Sequence, residues 1–467
     1  MGRCNSMPPG WLKSLETLRL PFRSSREKCQ HRRVTHGCVG LSAAIRPAEA
    51  GLSGKGLSGK GLQLAGALLL GGLAAGCGGD GGTARRPAAL ATPGGSLDMA
   101  APLTCEGAGD LVSLDPARVG LAQSYANDFK IGVAIGRNVY GGRDAAASSL
   151  VAAQYNRLTP ENELKWQSLQ RQPGVFDFSQ ADAFVQYGEA HGMEIHGHTL
   201  VWHQQVPAWV FQGDGDAQAT REQLLERLDQ HMSALGEHFG SHVQYWDVVN
   251  EAFNDDGSLR STPWRTIIGD DYLEQAFRLA ARHFPDAKLV YNDFSMENPA
   301  KREAVVKLVR DFQARGVRID AIGSQGHFQL QSPSLGAIEA SLDAFAATGV
   351  EVLVSEMDVD VLPAASQNQG ADLSVNAELS ARLNPYPECL PKSVAEQAAA
   401  RWGALFELFV RHSDQLHSVT LWGVSDGYSW LNNWPVNGRT NYALLFDRQL
   451  QPKQSWQNVI EAAGGTP

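Results

Sequence analysis

The chain has 467 residues, 43% of them hydrophobic and 8% aromatic, with a formal net charge of −10. The charge is unevenly split: residues 1–60 carry 11 basic against 3 acidic side chains, whereas residues 104–467 carry 27 against 45, a net of −18. An acidic body excludes nucleic acid as a partner, because affinity for phosphates comes from clustered Lys and Arg, and the apolar content excludes a chain disordered throughout.

Residues 1–60 show neither helical nor strand periodicity, and 51–60 are GLSGK written twice. They read as an unstructured leader outside the mature protein. No Met lies between Met7 and Met99, so translation is expected to start downstream at a non-Met codon. Residues 61–77 form the next unit. The uncharged run LQLAGALLLGGLAAG (62–76) follows Lys55 and Lys60 and ends at Cys77, the pattern of an export signal; it is short of the roughly 20 residues of a membrane span. Leu73-Ala74-Ala75-Gly76-Cys77 resembles a bacterial lipobox, with Ala74 where Leu is usual, so lipidation of Cys77 is preferred over plain signal cleavage. Both readings export the body, as a cell-envelope lipoprotein or a secreted protein, and leave the lipid as its one route to a membrane. Residues 78–110 are a Gly/Pro/Ala-rich tether, and 111–467 are one catalytic domain.

Within that domain eight apolar runs alternate with amphipathic stretches. Strands are expected at Phe129–Ile135, Gln154–Thr159, Glu194–Leu200, Gln244–Asn250, Lys288–Asn292, Ile319–Gln325, Glu351–Glu356 and Ser418–Trp422, and helices at 180–191, 219–238, 271–284, 300–315, 334–347, 393–412 and 455–463. Eight β–α units specify an α/β fold, a single (β/α)8 barrel. A doubly wound sheet would want a Gly-rich phosphate turn after its first strand, and IGVAIGRN is a poor one. In a barrel the chemistry sits at the C-terminal strand ends. Here those ends carry Glu161 and Asn162, His198 with Trp202 beyond it, Asn250-Glu251, Tyr291-Asn292-Asp293, Gln325-Gly326-His327, Glu356-Met357-Asp358 and Trp422.

Glu251 and Glu356 close the runs VQYWDVVNE and VEVLVSE. Each alone is as well explained as a salt-bridged structural carboxylate. As a pair on the fourth and seventh strands they face one another across one barrel mouth, the apparatus of glycoside hydrolysis. Asn250 offers an amide to a sugar hydroxyl. His327 and Asp358 are placed to hold Glu356 ionised, although a satisfied core histidine explains His327 alone equally well. Trp202, Trp422 and Trp430 suit the faces of pyranose rings, and the high count of 11 Trp is expected to belong largely to such a cleft, with Trp402 in the core. Of 6 Cys only Cys105 and Cys389 fall in the body, and their pairing is left open by spacing alone. No Cys/His ligand spacing occurs, so neither metal nor cofactor is expected.

Seven segments, TPENELKW (159–166), HGHTLVWH (196–203), WDVVNEAF (246–253), YND (291–293), IGSQGHF (322–328), SEMDV (355–359) and LWGVSDGYSW (421–430), together resemble the family 10 glycoside hydrolases, mostly endo-1,4-β-xylanases. The resemblance implies a retaining enzyme acting on xylan and xylo-oligosaccharides, with Glu251 as acid/base and Glu356 as nucleophile; a monomer is expected. It implies that Asn250 bonds the 2-hydroxyl, that His327, Asp358 and Gln325 support Glu356, and that His198 and Trp202 line the reacting subsite. Glu161, Asn162 and Lys165 would grip the next sugar, Trp422 and Trp430 would roof it, and Tyr291 would be a platform on the leaving-group side. Leu431 stands where the family often has Arg, and Val359 to Pro391 is expected to be a long loop bordering the cleft. A catalytically silent xylan-binding lipoprotein, or the same site acting on mixed-linkage glucan or as a transglycosylase, are the alternatives.

Overall fold

The computed structural model describes residues 120–215, 217–363, 382–435 and 437–464. The leader, the signal segment with Cys77, the tether and Cys105 lie outside the described residues. Nine strands occur among them: β1 Lys130–Ile135, β2 Arg157–Pro160, β3 Glu194–Gly197, β4 Tyr245–Asn250, β5 Lys288–Asp293, β6 Ala321–Ser324, β7 His327–Gln329, β8 Glu351–Asp360 and β9 Leu416–Leu421. They pair in parallel in the order β6-β5-β4-β3-β2-β1-β9-β8-β7, and β6 also pairs with β8, which closes the sheet. β6 pairs with the first part of β8 and β7 with its last part, so the two are one stave interrupted at Gln325-Gly326. Gly326 turns there with φ +78, a left-handed conformation that a side chain disfavours. The result is the expected closed (β/α)8 barrel.

The eight runs read as strands because parallel strands are covered on both faces and so are apolar nearly throughout. The helices around them are α1 Ala145–Gln154, α2 Ser179–Ala190, α3 Arg221–Phe239, α4 Tyr272–His283, α5 Pro299–Ala314, α6 Leu335–Ala346, α7 Lys392–Arg411 and α8 Gln454–Ala462. Their starts follow from local chemistry. The Asp144 carboxylate caps α1, Thr220 and Gln223 form a reciprocal capping box on α3, Asn298 and Ser334 cap α5 and α6, and Pro299 occupies the first turn of α5. In α3, Leu224, Leu228, Met232, Leu235 and Phe239 make the buried stripe. Helix α1 lies outside the expected set. Its run AAASSLVAAQ is apolar and small nearly all round, so it shows no contrast between faces.

The tryptophans divide differently from the expectation. Trp166, Trp246, Trp264, Trp402 and Trp456 are wholly buried in the hydrophobic core; among the described residues only Trp202, Trp422, Trp430 and Trp434 line the cleft described below. The high count therefore belongs as much to packing as to ligand. Leu431 is buried, so its side chain is part of the fold rather than of the cleft roof. Cys389 is disulfide-bonded, and its partner lies outside the described residues.

Inside the barrel Tyr245, Val290, Ala321 and Leu353 make a small apolar plug. Polar side chains occupy the interior beyond it, and small residues give them room: a Cβ on Gly323 would stand 2.5 Å from Asn292 Oδ1. On the outer face Gly197 packs flat on the ring of Trp246. Gly197→Ala is expected to overpack this contact and destabilise the barrel by about 1–3 kcal/mol, seen as a lower urea midpoint at unchanged slope.

Candidate active site

The two glutamates sit where the barrel is least regular. β4 shifts register against β5 between Asp247 and Val249, and β8 shifts against β9 between Val354 and Met357. Glu251, the first residue past β4, has φ +58, a left-handed conformation that costs a side-chain-bearing residue roughly 1–3 kcal/mol and is typical of functional sites. Its carboxylate accepts from neutral donors: Trp202 Nε1 at 2.9 Å, Asn250 Nδ2 at 3.1 Å and Gln325 Nε2 at 3.2 Å. Gln325, expected to join the Glu356 network, is placed otherwise. Its amide turns to Glu251 and Asn250 Oδ1, and only its backbone carbonyl reaches Glu356, accepting from the Glu356 N–H at 2.8 Å.

Glu356 is in a different environment. It is buried, accepts from Asn292 Nδ2 at 2.7 Å, and lies 3.4 Å from His327 Nε2 and 4.0 Å from His198 Nδ1. Burial would raise its pKa, but the hydrogen bond from His327 and the charges of His198 and His327 outweigh burial and hold the carboxyl below its ordinary range. Burial would likewise lower the pKa of His327, yet Asp358 at 3.1 Å and Glu356 raise it to about 10. Asp358 is fixed in turn by Trp430 Nε1 at 2.7 Å. A folded-state value above the ordinary 6.5 means that His327 keeps its charge until pH rises through about 10, while the stability it lends is full below about 6.5 and is lost progressively from there to about 10.

A second buried chain supports the site from the barrel interior. Asp247 accepts from His198 Nδ1 at 2.9 Å and His196 Nε2 at 2.8 Å; despite burial the two histidines bring its pKa down to about 2. His196 Nδ1 meets the wholly buried Arg157 at 2.9 Å, and Arg157 pairs with Glu194. The sequence points to none of Asp247, His196 and Arg157, and to Asn292 only as a member of the strand end Tyr291-Asn292-Asp293, with no role of its own. Asn292 and Asp247 lie inside the motifs YND and WDVVNE, and their signal is a polar residue inside an otherwise apolar strand.

Both glutamates line one cavity of about 850 Å³ at the C-terminal ends of the strands. It brings together Glu161, Asn162, Lys165, His198, Trp202, Asn250, Glu251, Gln325, His327, Glu356, Trp422 and Trp430 from the expected set; Asp358 stands behind His327 and Trp430. Lys165 Nζ donates to Asn162 Oδ1 at 3.2 Å and Gln205 Oε1 at 2.7 Å and lies over the Trp202 ring. Burial, with Glu163 nearby, pushes the Glu161 carboxyl up to about 7 against the pull of Lys165. Tyr291 is a correction. It is wholly buried, its hydroxyl engaged by Asp293 and the Ala252 N–H, so it offers no platform to a ligand. Trp434, half-exposed and stacked 6.3 Å from Trp430, adds an aromatic plate that the motifs do not include. Arg439 donates to the carbonyls of Pro363, Leu383 and Trp434, so the described ends of the Val359–Pro391 segment adjoin this wall.

A family model described as Glycosyl hydrolase family 10 matches residues 120–462. The chain belongs to this family. An endo-1,4-beta-xylanase A from Xylanibacter ruminicola is 39% identical over 333 residues, 71% of this chain and 90% of that protein. An endo-1,4-beta-xylanase B from Paenibacillus barcinonensis is 37% identical over 342 residues, 73% and 97% of the two chains. Among solved structures, a GH10 endoxylanase retrieved from a sugarcane soil metagenome superposes with a TM-score of 0.69 at 37% identity, covering 74% of this chain and 99% of that one.

The geometry of this family 10 enzyme makes a direct prediction about charge. His327→Asn removes both a donor and a positive charge from Glu356, so the Glu356 pKa is expected to rise. Titration of ¹³C-labelled carboxyl groups checks this; an unmoved Glu356 curve would contradict the stated cause.

Proposed function

We propose that this enzyme is a retaining endo-β-1,4-xylanase that cleaves internal bonds of xylan by double displacement. The observation that carries the reading is the unequal pair of glutamates in one cavity. Glu356 is buried and held ionised by His327 and Asn292, as a nucleophile requires. Glu251 is more exposed and held by neutral donors, as suits a group that exchanges a proton. Family membership and the relatives named endo-1,4-beta-xylanase support the substrate class and the retaining course.

In the first step Glu356 attacks the anomeric carbon of the reacting xylose, the bond to the leaving oxygen breaks, and Glu251 gives that oxygen its proton. In the second, water attacks the same carbon, Glu251 takes the water's proton, and Glu356 is released as carboxylate. Asn250 bonds the 2-hydroxyl of the reacting sugar; its Oδ1 is committed to Asn292 and Gln325, which orients its amide. Glu161, Asn162 and Lys165 grip the next sugar toward the non-reducing end, and Trp422 and Trp430 cover it. Export, with Cys77 as lipidation site, completes the reading. The disulfide at Cys389 suits an oxidising compartment.

Glu356→Ala is expected to cut release of reducing ends from xylan by on the order of 10⁴-fold or more. Glu251→Ala should cost roughly 10²–10⁴-fold on xylo-oligosaccharides and far less on dinitrophenyl xylobioside, whose leaving group needs no proton. Near-normal xylan cleavage by Glu356→Ala would overturn the assignment. Product analysis on glucuronoxylan, xylotriose and cellulose should show xylo-oligosaccharides from the first and no cleavage of the last; binding without hydrolysis by the unmodified protein would point to a silent binder.

A further inference from the structure

Glu251 holds a left-handed backbone conformation although it is not glycine. Three successive backbone N–H groups in this stretch are all taken by the end of β5. Glu251 N–H donates to the Asn292 carbonyl at 2.9 Å, Ala252 N–H to the Tyr291 hydroxyl oxygen at 3.2 Å, and Phe253 N–H to Asp293 Oδ2 at 3.3 Å. The Tyr291 hydroxyl donates onward to the same Asp293 oxygen at 2.6 Å. The other oxygen, Oδ1, accepts from Phe294 N–H at 2.9 Å and meets Lys301 Nζ at 2.7 Å. Lys301, in the first turn of α5, is wholly buried, as is Asp293, and its ammonium lies 3.9 Å over the ring of Phe294, a residue of the cavity wall. A second carboxylate, Asp255, lies 3.7 Å from it.

A buried ion pair contributes little net stability, because desolvation offsets its attraction, and its best-attested use is to specify one arrangement. Here the pair neutralises the group to which the backbone after Glu251 is tied. We propose that Tyr291, Asp293 and Lys301 are positioning residues for the acid/base: they hold residues 251–253 to β5 and so set the direction from which the Glu251 carboxyl meets the leaving oxygen. None of the three reaches the substrate. The inference rests on the acid/base role proposed for Glu251 and goes beyond it by naming what holds that residue in place.

The test separates proton delivery from general integrity. Tyr291→Phe removes one oxygen, leaving the Ala252 N–H and Asp293 without their partner. The double variant Asp293→Asn, Lys301→Met removes both charges together, so neither is left buried alone. Each is measured for kcat/KM on xylotetraose, whose leaving sugar needs a proton, and on dinitrophenyl xylobioside, whose leaving group does not, with the melting temperature recorded beside them. Expected is a loss of about 10- to 100-fold on xylotetraose, part of the full general-acid contribution, with less than about 3-fold on the aryl substrate. Equal losses on both substrates, or no loss in whichever variant folds, overturn the inference. Glu251→Ala serves as reference. If it shows no such split, the acid role itself fails; if it does and the positioning variants do not, only the inference fails.

Discussion

A carboxylate placed where water scarcely reaches it loses its charge unless fixed donors replace its hydration. Glu356 is such a group, and much of the barrel mouth is arranged around it. Asn292 supplies a neutral amide and His327 a charged donor, and His327 stays charged because Asp358 lies on its other side. Trp430 then ties Asp358 to the cleft wall. Trp430 is thereby both a part of the cavity wall and the donor that keeps the support of Glu356 in place.

The barrel supplies this arrangement through its departures from regularity. A continuous parallel strand would carry Gln325 and His327 on with simple alternation. The break at Gln325-Gly326 frees Gln325, just past β6, so that its amide reaches Glu251, and β7 begins on His327, which reaches Glu356. The register shifts beside Asp247 and Glu356 do the same on β4 and β8. Inside, small residues make room: Gly323 lets Asn292 cross toward Glu356. The paired carboxylates are thus held differently, Glu356 by charge and burial, Glu251 by neutral donors and a backbone tied to β5.

Much of this is legible in the order of residues. The eight strands and seven of the eight helices, all but α1, follow from period and burial, since a parallel strand covered on both faces must be apolar and a covering helix amphipathic. Glu251, Glu356, Asn250, His198, His327 and Asp358 stand out because polar residues ending apolar runs need a reason. The same rule misplaces Tyr291. It ends a buried strand beside Asn292 and looks like a ligand platform, yet Asp293 and the Ala252 N–H claim its hydroxyl from within the fold. Trp434 escapes notice because its loop has no period, and the core tryptophans are overcredited to the cleft because nothing in a Trp codes for which layer it enters.

From sequence alone come the barrel, the order of its staves, the two carboxylates and the class of chemistry they suit, because these depend on local periodicity and on residue type at strand ends. Tertiary structure alone decides the partners. Gln325 serves Glu251 rather than Glu356, Asn292 donates to Glu356, and Asp293, paired with Lys301, accepts from the backbone just after Glu251. The first two of these pairings join residues 74 and 64 positions apart through the closed sheet. They depend on strand register and on bends of a single residue, and neither leaves a trace in composition or period.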